Sequence, residues 1–225
     1  MVGRGIRWLC VLACLAAGSA RGAADDATAK HSFGDVAHWE KVFDDPARDA
    51  WQQPGMVVGA LTLAPGMAVA DVGAGTGYLE RALSAAVGPR GVVYAVEVEP
   101  TLVTHLRDRA EREGTSNVVP VLGSSDTPRL PTGRIDRILF LDTYHHIDGR
   151  VAYFRRLRAA LAPGGRVVVV DWEKRPDTIG PEPSHRLAAE QVTDEMRRAG
   201  YRSVDTAVRL SHQYALVFTP AGESR

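Results

Sequence analysis

The chain is 225 residues long, 45% apolar and 24% charged, with acidic and basic side chains in equal number. That is one domain's worth of residues, with enough apolar material to build a core without disulfides or a structural metal. A formal charge of zero removes the electrostatic case for a polyanionic partner such as nucleic acid.

At the start, Arg4 and Arg7 precede an apolar run from Trp8 to Ala17, and the small residues Gly18, Ser19 and Ala20 follow. A basic start, a short apolar centre and small residues at a cleavage point read as a secretory signal peptide over residues 1–20, or to 24 if cleavage follows Ala24. The run is about half the ~20 residues that span a bilayer, so no stable membrane span is expected. The expected location is therefore the periplasm. Lipoprotein anchoring through Cys14, after Val11-Leu12-Ala13, is an alternative, and a tail without a targeting role is another. Cys10 and Cys14 are the two cysteines of the chain, so a form cut after Ala20 has no thiol for a disulfide, a metal or a nucleophile.

Residues 21–60 read as a helical cap for the edge or mouth of a domain spanning 61–220. Met67–Asp71 is an apolar run ending in a glycine-rich turn, the pattern of a buried first strand. Tyr78–Val87 has helical spacing of Leu79, Ala82, Leu83 and Ala86. Val92–Val98 is the second strand, and Pro100 opens an amphipathic helix, Thr101–Glu113, that Gly114 ends. Asn117–Leu122 and Ile135–Asp142 are the third and fourth strands. A helix over Gly149–Leu161 stops at Ala162-Pro163-Gly164-Gly165, and the β-branched run Val167–Asp171 is the fifth strand. A proline-rich loop, Pro176–Pro183, leads to a helix near Arg186–Ala199. Two last strands, Tyr201–Ala207 and Gln213–Thr219, have no helix between them and should run antiparallel. Alternating strands and helices imply a parallel sheet with crossover helices. The expected fold is α/β, a Rossmann-like three-layer α/β/α sandwich with a seven-stranded, mostly parallel sheet and an antiparallel closing strand.

The chemistry concentrates at Asp71-Val72-Gly73-Ala74-Gly75-Thr76-Gly77-Tyr78, where the first strand turns into the first helix. Glycines there let backbone approach a ligand, and a helix start offers unpaired N–H groups. Asp71, two residues before the first glycine, disfavours a diphosphate and suits a cationic amine. Glu97 ends the second strand, where an acid can accept hydrogen bonds from ribose hydroxyls. A nicotinamide dehydrogenase shares Gly73-x-Gly75 and the later acid, but its fingerprint needs glycine at position 78, and Tyr78 stands there.

These residues resemble those of the class I S-adenosylmethionine-dependent methyltransferases, whose acid-x-Gly-x-Gly-x-Gly motif Asp71, Gly73, Gly75 and Gly77 match. The resemblance covers about Leu61 to Thr219. It implies S-adenosyl-L-methionine as cofactor, with the acid and the glycines at its methionine part and the adjoining Tyr78 also among the cofactor-binding residues. It implies Glu97, or less well Glu99, at the ribose and Val98 on the adenine face. Gly123-Ser124-Ser125-Asp126 falls where the family meets the adenine edge. Many members carry an acid directly after that glycine, and Ser124 departs from this, leaving Asp126 or the Ser125 backbone. Asp142 falls near the methionine amino group, and Leu161–Gly165 matches the turn before the family's fifth strand.

His145 and His146 follow the fourth strand, at the strand ends where parallel sheets keep their ligand crevice. An imidazole there can take a proton from an acceptor, so both are candidate catalytic residues. Adjacent side chains point apart, so at most one of the two is expected to face the substrate, and the bland alternative is that one bonds the loop and the other packs. No spacing of acids with them suggests a metal. Asp171 and Trp172 end the fifth strand and either line a substrate pocket or pack. Trp39, Phe43 and Trp51 form either a lid or ordinary helix packing, and His185-Arg186 either meets an anionic substrate or opens a solvated helix. The functional expectation is methyl transfer to a small-molecule acceptor with an O, S or N nucleophile. The alternative is a non-catalytic protein that binds S-adenosylmethionine or S-adenosylhomocysteine and keeps the fold.

Overall fold

A computed structural model describes residues 33–222, so the proposed leader with Cys10 and Cys14 lies outside the described residues. Three short helices come first: α1 (Val36–Phe43), α2 (Arg48–Gln52) and α3 (Pro54–Ala60). The alternating part follows as β1 (Ala68–Val72), α4 (Glu80–Val87), β2 (Val92–Glu97), α5 (Pro100–Glu113), β3 (Val118–Leu122), β4 (Ile135–Leu141), α6 (Arg150–Leu157) and β5 (Leu161–Trp172). The chain closes with α7 (Ala189–Arg198), β6 (Tyr201–Val204) and β7 (Gln213–Pro220). Among the described residues no helix is long and apolar enough to cross a membrane.

The seven strands form one sheet in the order β3-β2-β1-β4-β5-β7-β6. β1 to β5 are mutually parallel, and β7 runs antiparallel to both β5 and β6. The central strands are continuous apolar runs because helices cover both faces. Successive residues face opposite sides. Ile138 and Phe140 pack with Phe154, Leu157, Val192 and Met196 under α6 and α7. Leu139 and Val168 pack with Val57, Leu61, Leu83 and Val87 under α3 and α4. This is the three-layer Rossmann-like architecture read from the alternation of elements.

Three boundaries differ from the sequence expectation. The turn expected at Ala162–Gly165 is absorbed into β5, which starts at Leu161 and pairs with β4 across a register shift between Ile135 and Arg137. The preceding helix stops at Leu157 and tightens into a 3-10 turn, Arg158–Ala160. The last helix begins at Ala189, because Arg186 is drawn inward instead of opening a solvated helix. Its guanidinium donates to the carbonyls of Glu173, Arg175, Ile179 and Pro181 and lies 5.4 Å from the Trp172 ring centroid. One buried cation thereby organises the proline-rich loop.

β2 and β4 flank β1, so the connections after β1 and β4 leave in opposite directions and open a crevice at the C-terminal strand ends. The ends of β1, β2, β4 and β5 carry Asp71, Glu97, Asp142 and Asp171. Helices α1 and α2 lie over that crevice.

Candidate functional site

A cavity of about 680 Å³ occupies the crevice, a size suited to a small-molecule ligand. Asp71, Gly73, Tyr78, Glu97, Val98, Ser125, Asp142, His145 and His146 all line it. The fold thus brings together residues singled out in four separate segments of the sequence.

Asp71 is buried at the end of β1, and its Oδ1 has no hydrogen-bond partner. Burial first, and the Glu97 charge second, push its carboxyl up to about 7, against the pull of Arg48 and Glu80. The neighbouring Glu80 carboxyl is likewise buried, its pKa raised by burial and by Asp71, so the two form a buried acidic pair behind the lining that favours a cationic ligand group. Glu97 is held differently. Its Oε1 accepts the Gly75 N–H at 2.7 Å and its Oε2 accepts the Val98 N–H at 2.9 Å, while burial raises its pKa against those bonds. Each oxygen keeps a further lone pair, so the side chain can brace the glycine loop and still accept from a diol. Val98 beside it is 54% exposed, an apolar face left for a planar ring.

The three motif glycines do different jobs. Gly73 touches the fourth strand's exit, where an added Cβ would lie 2.3 Å from Thr143 Oγ1. Gly75 faces the Phe43 ring of the cap, with 3.3 Å to an added Cβ. Gly77 faces away, against Leu106 and Arg109 of α5, and admits the helix instead of a ligand. Asp126 also falls outside the site. Its side chain is 86% exposed, 3.9 Å from the Arg156 guanidinium, because the Ser124–Thr127 turn rotates it to solvent. Ser125 is the residue of that pair on the cavity wall.

Asp142 has φ +53 and follows β4 directly. Its Oδ1 accepts from Gln213 Nε2, and its Oδ2 lies 3.5 Å from Arg48 Nη2. Burial pushes it up to about 7, opposed by Arg48 and assisted by the Asp171 charge. Gln213 is itself held by Gln52 Nε2 at 2.6 Å. Neither Arg48, Gln52 nor Gln213 was foreseen from the sequence. Arg48 is central: it donates to Gln52 Oε1 and the Phe43 carbonyl, and its guanidinium sits 4.1 Å from the Tyr78 ring centroid. Tyr78 in turn donates to Asp49 Oδ1 at 2.5 Å, tying the first strand–helix turn to α2.

His145 and His146 sit in a 3-10 turn, Tyr144–His146, just beyond Asp142. His145 Nδ1 lies 2.8 Å and 3.0 Å from the two Asp171 oxygens, and its backbone N–H donates to Asp171 Oδ2 at 3.2 Å. Burial would lower the imidazole pKa, but the Asp171 charge and hydrogen bond, helped by Asp142, raise it above its ordinary value. His146 stands beside it with ring centroids 4.1 Å apart, and meets Phe33 edge-on at 6.0 Å. Behind this turn, Tyr144 donates to Glu195 Oε2 at 2.9 Å, and Arg150 donates to both Glu195 oxygens at 2.6 and 3.1 Å.

The cap aromatics face the cavity. Helix α1 has no buried residue, yet Trp39 and Phe43 stack at 5.0 Å on the cavity wall with Phe33 at 4.8 Å from Trp39. Trp51 meets Trp172 at 5.0 Å, and Gly180 of the proline-rich loop lies against the Trp172 ring. His185 also lines the cavity.

Residues 69–165 match the family described as methyltransferase domain. Over 122 residues the chain is 38% identical to a protein-L-isoaspartate O-methyltransferase of Aeropyrum pernix, covering 52% of this chain and 44% of that one. Over 126 residues it is 29% identical to the ubiquinone/menaquinone biosynthesis C-methyltransferase of Burkholderia vietnamiensis, covering 56% and 50%. The chain thus spans about half the length of such relatives. A crystal structure of an S-adenosylmethionine-dependent methyltransferase from Aquifex aeolicus superposes with a TM-score of 0.77 at 25% identity, covering 84% of this chain and 98% of that one.

Proposed function

We propose that this chain, whose residues 69–165 match a methyltransferase-domain family, is a class I S-adenosylmethionine-dependent methyltransferase that transfers the methyl group of S-adenosylmethionine to a small-molecule acceptor held in the cavity. The observation that carries this reading is the set of strand-end acids, Asp71, Glu97 and Asp142, on the lining of a cavity of about 680 Å³ that Phe33, Trp39, Phe43 and Trp172 also line. A lining that combines strand-end acids and Arg48 with aromatic rings suits an amino-acid-bearing cofactor plus an apolar acceptor.

The residues present fit the cofactor part by part. Asp71 and Asp142 would hold its ammonium group, and Arg48 beside Asp142 its carboxylate. Glu97 would hold the ribose, and Val98 and Ser125 the adenine. When bound, the cofactor supplies a sulfonium-activated methyl carbon. The chain supplies placement: holding donor and acceptor in line is worth up to ~7–11 kcal/mol in favourable cases. Phe33, Trp39 and Phe43 line the cavity from the cap as one cluster of rings. Arg48 links that cluster to the strand ends, since it contacts the Phe43 carbonyl, Gln52, Tyr78 and Asp142 together.

Calorimetric titration with S-adenosylmethionine, S-adenosylhomocysteine and NAD tests the reading. Micromolar binding of the two methionine nucleosides is expected, with none for NAD, and with loss of binding in Asp71→Ala. In Arg48→Ala a charged hydrogen bond worth ~1.5–3 kcal/mol disappears, so affinity should drop roughly 10- to 150-fold. Failure of both nucleosides to bind would refute the reading.

A further inference from the structure

We propose that His145 is the general base of this site, positioned by Asp171, and that the acceptor it serves is an electrically neutral phenol methylated on oxygen. The inference rests on the methyl-transfer reading above and adds the base, its positioning residue and the acceptor class.

The geometry separates two histidines that their adjacency in sequence leaves equivalent. Asp171 engages His145 at Nδ1 with both oxygens, and it is itself fixed by the backbone N–H groups of His145 and Trp172, at 3.2 and 2.8 Å. That arrangement sets the tautomer. Nδ1 carries the proton toward Asp171, so Nε2 is the nitrogen with a lone pair for a ligand. His145 also lines the cavity, so the lone pair belongs to a residue on the substrate wall. The turn that presents it is braced from behind by the buried Tyr144–Glu195–Arg150 network. A carboxylate held by two backbone amides, an imidazole locked on it and a buried brace beneath form a base whose orientation is set before any ligand arrives.

The rest of the wall selects the acceptor. Among the described residues, Arg48 is the single Lys or Arg on the lining, and its guanidinium already meets Gln52, the Phe43 carbonyl and Asp142 at the cofactor end. Apart from its histidines, the lining therefore offers no further guanidinium or ammonium group to an anionic acceptor. Phe33, Trp39, Tyr153 and Trp172 instead offer flat apolar faces. A neutral planar acceptor fits such walls, and among neutral planar nucleophiles the phenol is the one that needs a base of imidazole strength. Proton transfer is most effective between groups of matched pKa, and a phenol near 10 is far closer to an imidazole than an aliphatic alcohol is. In the step, the phenol O–H proton passes to His145 Nε2 as the oxygen lone pair forms a bond to the methyl carbon. The carbon–sulfur bond breaks with its electron pair going to sulfur, and the imidazolium later releases its proton to solvent. Products are the aryl methyl ether, the S-adenosylhomocysteine thioether and one proton.

The charged groups around His145 determine the pH behaviour. Asp171 from β5 and Asp142 from the end of β4 favour the imidazolium, Arg150 of α6 opposes it, and His146 lies alongside. The raised value means the base form gains population as pH climbs past the ordinary histidine range. Activity on a phenol should therefore rise with pH through a midpoint above about 6.5. Asp171→Asn should move that limb to lower pH while lowering its plateau, which a residue of purely structural importance would not do.

The test uses phenol, 4-nitrophenol, thiophenol and aniline with radiolabelled S-adenosylmethionine. Product identification accompanies it, with calorimetric S-adenosylhomocysteine binding and NMR titration of the His145 imidazole as readouts independent of turnover. Wild type should make the phenol ethers. His145→Gln should lose about 10²–10⁴-fold on phenol and far less on thiophenol, which ionises unaided, with S-adenosylhomocysteine affinity kept and activity partly rescued by added imidazole. The NMR midpoint of His145 should fall in Asp171→Asn. Undiminished phenol turnover in His145→Gln, equal losses on phenol and thiophenol, a ring-methylated product, or no phenol turnover at all while S-adenosylhomocysteine binds would each overturn this inference. Absence of S-adenosylhomocysteine binding in wild type would overturn the reading beneath it instead.

Discussion

Replacing Gly73 by alanine isolates the contact on which the site's two halves close. Gly73 has φ +82, and an added Cβ would lie 2.3 Å from Thr143 Oγ1 and 2.6 Å from its Cγ2. Thr143 cannot simply swing away, because its hydroxyl donates to the Leu141 carbonyl at 2.8 Å and its backbone follows Asp142, itself at φ +53. A left-handed conformation costs an L-residue about 1–2 kcal/mol. Forcing a methyl group into packed surroundings adds about 1–3 kcal/mol, so the whole change should cost about 2–5 kcal/mol. Gly114 provides the control: it too is left-handed, at φ +68, but an added Cβ meets nothing within 4 Å. Gly114→Ala should cost only the backbone share, about 1–2 kcal/mol. Equilibrium urea unfolding followed by tryptophan fluorescence measures both. The double variant Gly73→Ala/Thr143→Ala, referred to Thr143→Ala alone, should recover about 1–3 kcal/mol, since it removes both clashing atoms. Equal losses at the two glycines, or no recovery in the double variant, would show that the clash with Thr143 is not what makes glycine necessary there.

Two further outcomes follow from the buried charges. Asp71 and Asp142 both sit at about 7 in the folded chain, against roughly 3.9 in an unfolded one. Between those values the folded state binds more protons, so the stability of the ligand-free protein should fall as pH rises from about 4 to 7. Asp71→Asn should flatten that decline in Tm measured across the range, and an unchanged slope would contradict the assignment. Separately, Arg150→Met leaves the Glu195 charge buried without its guanidinium, which should cost about 3–5 kcal/mol in urea unfolding. Arg150→Met/Glu195→Leu should regain most of that loss, and a double variant as unstable as the single one would show that the pair is not the source.

The same physics explains what was legible along the chain and what was not. Alternating apolar runs and glycine-rich turns determined the strands and helices, because hydrophobic periodicity and turn chemistry act over a few residues. The acids at strand ends were legible for that reason: Asp71, Glu97 and Asp142 each stand one step beyond or at the close of a readable strand. Partnerships across the sheet were not. His145 meets Asp171 26 residues away, Gln213 meets Asp142 71 residues away, and Arg48 reaches Asp142 from 94 residues away. Those pairs exist because β5 lies beside β4 and β7 inserts between β5 and β6, bringing Gln213 opposite Trp172. Nothing local encodes that insertion, and Asp126 shows the converse, an acid in the expected segment that a tight turn points into solvent. Local pattern decided which residues stand at the strand ends, and sheet order and register decided which of them touch.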